Sequence, residues 1–234
     1  GVISTASALA NTVGKQFAQP IRPRDKHGTP KASLLKLIRR DRDIDPWLTF
    51  SQVLDKYLGY VPGKGQHQTY RADFRDFLGN DDLAFDAVYA DPPYTREHYS
   101  RFYHVLETMA LRDVPKISNV KRNGKIRLSR GMYRSDRHQS EFCIRSKASR
   151  AFSDLFRLAS RREIPVVLSY SPHEDSDESH PRVVTLSKLT DLAKEYYINV
   201  EVRYVQGFDH AKLNSRALHK STRQYSEALI ICSD

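Results

Sequence analysis

The stretch FDAVYADPPYTREHYSRFYHVLE runs from Phe85 to Glu107. Phe85–Ala90 is a short apolar run with one acid, Asp86, and reads as a strand. It stops at Asp91, Pro92, Pro93 and Tyr94. A proline pair neither continues a helix nor donates to a sheet ladder, so it makes a stiff, extended turn whose carbonyls point outward as acceptors. Tyr94 then offers a flat π face. The spacing that follows predicts a helix from about Glu97 to Leu111.

Outward from this stretch the pattern alternates. Lys147–Arg161 sets Ala148, Ala151, Phe152, Leu155, Phe156 and Ala159 on one helical face. "IPVVLSYS", Ile164–Ser171, is a strand apolar enough for burial on both faces. Leu186–Tyr197 is helical, Ile198–Val205 alternates as a strand, and "YSEALIIC", Tyr225–Cys232, is a last strand. This order predicts an α/β fold with a mostly parallel sheet and an antiparallel C-terminal strand pair. Upstream, Gln68–Phe74 reads as a strand, Ala32–Arg40 and Leu48–Leu58 as helices, and residues 1–31 as loop broken by Pro20, Pro23 and Pro30. Two regions result: 1–66, irregular and helical, and 67–234, which carries the chemistry.

Composition narrows the partners. The 234 residues carry a net charge of +10, and no apolar run is long enough to span a membrane. Two cysteines, Cys143 and Cys232, give no disulfide framework and suit a reducing, cytoplasmic compartment. Between Lys116 and Arg137 stand eight cations, among them Arg122, Lys125, Arg127 and Arg130, against one acid, Asp136. Further cations cluster near the start, with Lys15, Arg22 and Arg24, and near the end, with Arg216, Lys220 and Arg223. Clustered like charge repels itself, so a polyanion explains it better than a solvated loop does. "SPHEDSDESHPR", Ser171–Arg182, reads as an exposed acidic loop rather than a metal site built on His173, Asp175, Asp177 and His180.

In open α/β sheets ligands bind at the carboxyl ends of strands, where Asp91 falls. The carboxylate of Asp91 and the carbonyl of Pro92 can accept the two hydrogens of an exocyclic amine while Tyr94 stacks on its base. That geometry turns the nitrogen lone pair out of the ring plane, toward an electrophile. A base in a duplex reaches such a pocket only when flipped out.

"DPPY", with "SEFCIRSKASRAFSDLF" and "VVLSYS" downstream, resembles the adenine-specific DNA methyltransferases of the Dam-like, D12 class, over roughly Gln68 to Cys232. The resemblance implies a Rossmann-like methyltransferase sheet, S-adenosylmethionine as cofactor, and double-stranded DNA as partner, in a bacterial or phage-like setting. It implies direct methyl transfer to the N6 of a flipped adenine, with Asp91, Pro92, Pro93 and Tyr94 as the catalytic loop. It nominates Asp73 and Phe74 of "TYRADF" for the edge of the cofactor's adenine, with a plain helix cap the alternative for Asp73. Tyr99, Phe102, Tyr103 and His104 are candidates to line the cofactor or base pocket, Tyr99 on the cofactor side, although helical spacing places Phe102, with Val105 and Leu106, in a core instead. Tyr170 and Ser171 end the strand that borders the site, and Gly207–Arg223 resembles a hairpin closing over the target base. Region 1–66 becomes a candidate target-recognition part.

The family's glycine-rich turn, F-x-G-x-G, is not in the sequence. The cofactor's methionine end is therefore expected to be held by a preceding segment or a second chain, and Gly1 is expected to be an internal position. Two rival readings remain: an RNA base-amino methyltransferase, and a catalytically incomplete DNA-binding relative. The recognition site, and service in restriction or regulation, are not encoded in any spacing.

Overall fold

The computed structural model of the protein describes residues 1–10, 21–59, 65–129, 131–171, 182–205 and 227–234. Their contacts divide into two units. One holds 1–67 and 99–138; the other holds the described residues of 68–98, 139–205 and 227–234.

The second unit is built on a four-stranded sheet of β1 (Val88–Ala90), β4 (Val166–Tyr170), β5 (Asn199–Val205) and β6 (Glu227–Ser233), in the order β1-β4-β6-β5. β1 pairs with β4 in parallel, and β6 runs antiparallel to both β4 and β5. The antiparallel C-terminal pair is as the sequence predicts. The sheet, however, is mixed rather than mostly parallel, because the reversed strand lies inside the order, between β4 and β5.

Register explains the core. Val166, Leu168 and Tyr170 lie opposite Cys232, Ile230 and Ala228, so all six share one face, and all six are buried. Helix α6 (Arg145–Ser160) contributes the stripe Ala148, Ala151, Phe152, Leu155, Phe156 and Ala159, every one buried in the same core. Helix α7 (Leu186–Lys194) adds Leu189 and Ala193, and Thr185 caps it by accepting from the Lys188 amide at 3.2 Å. Phe152 lies edge-on to Phe142, with ring centres 4.7 Å apart. Burial pushes the Cys143 thiol up to about 11 and the Cys232 thiol up to about 12, so both are inert packing residues.

Gln68–Phe74 is not a strand. The backbone is irregular to Asp73, and Phe74–Leu78 is a short helix, α4. A strand needs a ladder partner, and no neighbour is present for this stretch among the described residues. Asp73 instead accepts from the Arg75 amide at 2.9 Å and starts the helix. Arg75 then reaches across the unit: Nε donates to Asp154 on α6 at 2.9 Å and Nη2 to Glu141 at 2.8 Å. Glu141 lies in a 3-10 turn, Glu141–Cys143, and also accepts from Lys147 at 3.2 Å.

The first unit contains α1 (Val2–Leu9), α2 (Ala32–Arg42), α3 (Pro46–Leu58), α5 (Tyr99–Leu111) and a two-stranded antiparallel sheet, β2 (Asn119–Arg122) and β3 (Lys125–Leu128). Residues 1–31 are not all loop, since Val2–Leu9 is helical; Thr5 inside it turns its hydroxyl back to the Gly1 carbonyl at 3.0 Å. α3 follows a clear start signal, with Asp45 accepting from the Leu48 amide at 2.9 Å and Pro46 in the first turn. Most apolar side chains of α3 stay outside, Trp47 at 80% exposure, while Phe50 and Val53 are half-buried.

Nor is the basic stretch a plain loop. Asn123 and Gly124 have φ of 50° and 72°, the paired positive values of a two-residue hairpin turn. At its base Ser129 donates its amide to the Ser118 carbonyl and Ser118 to that of Tyr133, each at 2.7 Å. Arg134 anchors the same end. It is buried, and its guanidinium takes Asp113 with two bonds of 2.7 Å, Asp136 with bonds of 3.1 and 2.8 Å, and the Thr108 hydroxyl at 3.1 Å. Hydrogen bonds from Arg134 hold the Asp113 carboxyl below its usual range. Among the described residues no helix is long and apolar enough to cross a membrane.

Two outcomes follow from the second unit's packing. Phe152→Ala is expected to lower unfolding stability by about 3–5 kcal/mol, because it empties a fully buried site; urea unfolding measures this. The second concerns acid. Hydrogen bonds from Lys147 and Arg75 lower the Glu141 carboxyl. For Asp154 burial raises it, but the bonds from Arg75 and Arg157 outweigh that and the net direction is down. Carboxyls lowered in the folded state contribute stability that is present above the ordinary carboxylate pKa and lost as pH falls through their folded values. Arg75→Met should therefore flatten the loss of stability below about pH 4, read from denaturant midpoints across pH.

Candidate active site

Asp91 leaves β1 at its carboxyl end. Because β4 runs parallel to β1, the end of β4, Tyr170 and Ser171, lies on the same side of the sheet. The loop Asp91–Tyr94 thus stands at the carboxyl end of the parallel pair, the side on which open α/β sheets take ligands. Its residues divide by burial: Asp91 is exposed, Pro92 is buried, and Pro93 and Tyr94 are half-buried. The prolines thus seat the loop while the acid stays at the surface.

Tyr94 is held from several directions. Its ring meets Tyr170 edge-on at 5.5 Å. Tyr170 is itself fully buried and donates its hydroxyl to the Val184 carbonyl at 2.6 Å, so it supports Tyr94 rather than facing a ligand. The carbonyl of Tyr94 accepts from the Val183 amide at 3.1 Å, and Thr95 forms a bridge with Arg182. The guanidinium of Arg182 lies 4.7 Å over the Tyr94 ring and donates to the hydroxyl of buried Ser171. Arg182 escapes a reading of the sequence. It is a lone cation after an acidic loop, and only the fold brings it beside Tyr94.

The cofactor candidates have their own surroundings. Asp73 is exposed and caps α4. Phe74 is half-buried, 5.2 Å from Phe142, with Arg75 at 4.7 Å over its ring. Tyr99 opens α5, in the other unit, and stands 5.8 Å from Phe102. His104 is buried there against Tyr133 at 5.2 Å, while Tyr103 is 54% exposed.

Of the cationic candidates, Arg22, Arg24, Arg122, Lys125 and Arg127 are exposed on the first unit. Arg24 folds back to the Gly28 carbonyl at 2.9 Å. Lys15, Arg130, Arg216, Lys220 and Arg223 lie outside the described residues, as do the loop Gly207–Arg223 and His173, Asp175, Asp177 and His180.

Relatives bear on this geometry. Modification methylase LlaI of Lactococcus lactis subsp. lactis is 32% identical over 136 residues, 57% of this chain and 19% of that protein. Type II methyltransferase M.FokI of Planomicrobium okeanokoites is 32% identical over 105 residues, 45% of this chain and 14% of that one. Type II methyltransferase M.NlaIII of Neisseria lactamica is 32% identical over 111 residues, 47% of this chain and 28% of that one. The chain therefore spans well under two thirds of these relatives' length. No solved structure matches it significantly. The D12 class N6 adenine-specific DNA methyltransferase family matches residues 50–167, half of the chain, from α3 through the Asp91–Tyr94 loop and α6 into β4. With its acid-proline-proline-tyrosine loop at a strand end and half its length matched, the chain belongs to the D12 class of N6 adenine-specific DNA methyltransferases.

Proposed function

We propose that this chain carries the catalytic loop of an enzyme that methylates the N6 of a flipped adenine in duplex DNA. The supporting observation is the seat of Asp91–Tyr94 at the carboxyl end of β1, alongside the end of β4. In this reading the sheet is part of a Rossmann-like methyltransferase fold. Asp91 accepts one amino hydrogen, the Pro92 carbonyl accepts the other, and Tyr94 stacks on the base from the side away from Arg182. Holding both hydrogens aims the nitrogen lone pair out of the ring plane. The rate gain comes from positioning and polarisation.

S-adenosylmethionine, when bound, supplies the methyl electrophile. The residues described do not by themselves make its cradle. Asp73 commits an oxygen to the start of α4, Phe74 already carries Arg75 over its ring, and the glycine-rich turn is not in the sequence. Asp73, Phe74 and Tyr99 remain candidates for the nucleoside end, and the rest of the cradle is assigned to a preceding segment or a second chain. β1 is consistent with this, since among the described residues it pairs on one side only. Arg22, Arg24, Arg122, Lys125 and Arg127 are assigned to the DNA, with region 1–66 as a target-recognition part and 67–234 as the catalytic part.

The test is transfer of labelled methyl from S-adenosylmethionine to duplex DNA by the full-length protein, with N6-methyladenine identified after digestion. Asp91→Ala should lower turnover by about a hundredfold or more and leave duplex affinity within about twofold, since phosphate contacts dominate binding. Methylation retained in this variant would refute the assignment. Label in RNA alone would transfer it to the other polymer, and binding without label would leave a DNA-binding relative.

A further inference from the structure

The hairpin β2–β3 is the least expected element of the first unit, and its side chains are ordered in a way that folding does not require. All eight strand residues are exposed. Isolated two-stranded ribbons are marginal in water. This one is held at its base by the Ser118–Ser129 and Ser118–Tyr133 bonds and by buried Arg134, whose guanidinium is saturated by Asp113, Asp136 and Thr108. The ribbon is thus presented, not packed.

Register assigns its faces. Arg122 lies directly opposite Lys125, and Val120 opposite Arg127. Strand side chains alternate, so Val120, Arg122, Lys125 and Arg127 share one face. Like charges directly opposite destabilise a strand pair, and the ribbon contains no acid to offset them. A recess of about 320 Å³ is lined by Arg122, Asn123, Lys125 and Arg127, all of which carry donors. That face therefore suits a partner rich in acceptors.

We infer that this ribbon enters the major groove of duplex DNA, with Arg122 and Arg127 reading base edges. The B-form major groove admits a two-stranded ribbon, and arginine paired with the O6 and N7 of guanine is the commonest specific contact made there. The major groove of an A-form RNA helix is too deep and narrow for one. Val120, opposite Arg127 and next to Arg122 on that face, matches a thymine methyl. Lys121, on the opposite face, and Lys125, nearest the turn, take the flanking phosphates. The inference rests on the proposed function only in taking DNA as the partner.

The experiment selects bound sequences from a randomised duplex library with full-length protein, as wild type, Arg122→Ala, Arg127→Ala and Arg127→Lys. Wild type should enrich a motif containing guanine. Each alanine variant should relax preference at one G·C pair by about tenfold and keep the rest of the motif. Arg127→Lys should not restore the lost preference, because lysine lacks the planar fork. Three outcomes would each overturn the inference. One is an unchanged motif bound more weakly, with the salt slope shallower by about one per variant, the mark of a phosphate contact. The others are equal binding of an RNA duplex of matched length, and no motif in the wild type. Incubating the enriched pool with S-adenosylmethionine and scoring N6-methyladenine tests the catalytic reading separately, so either can fail while the other stands.

Discussion

Val88, Tyr89 and Ala90 pair in parallel with Val166, Val167 and Leu168. Since both strands run the same way, their carboxyl ends emerge side by side, and everything in the candidate site depends on that. The loop after one strand supplies Asp91 and Tyr94. The end of the other supplies Tyr170 and Ser171, which brace Tyr94 directly and through Arg182. Had β1 paired antiparallel, the two ends would lie at opposite edges of the sheet. The three-residue β1 holds its place because Val88 and Ala90 fall opposite buried Val166 and Leu168 and join the same core.

The two units reach their shapes by different physics. The second has an apolar core with α6 packed on one face of its sheet. In the first the buried side chains are mostly polar or charged: Thr5, Asp41, His104, Ser129 and Arg134. A buried cation is costly unless its donors are all used, and Arg134 uses them on two carboxylates and a hydroxyl. Such a tie supplies geometry more than stability, which suits an element that must present side chains in a fixed orientation.

Much of the second unit was legible in the sequence. The stripe of α6 and the apolar β4 carry strong periodic signals, and the Asp-Pro-Pro-Tyr stop marks a candidate site in the sequence itself. What escaped has identifiable causes. The Gln68–Phe74 stretch alternates like a strand but has no ladder partner among the described residues, so the capping chemistry of Asp73 prevails. The hairpin's dense positive charge has the look of a loop, although Asn123–Gly124 is the strongest short signal for a hairpin turn. Arg182 left no local trace at all, because its role is set by a contact with Tyr94 far away in sequence. The assignments of Asp73, Phe74 and Tyr99 to the cofactor rest on resemblance and placement.

The position of β6 carries a consequence for synthesis. β4 and β5 have no ladder with each other; each pairs with β6, which lies between them in the sheet but after both in the chain. The ribosome releases β1, β4 and β5 first. Until Glu227–Ser233 emerges, β4 has an unpaired inner edge and β5 has no partner among these strands. The nascent chain thus carries exposed strand edges until those residues emerge, the condition under which strands pair wrongly with neighbours. The seven residues of β6 are what closes the sheet.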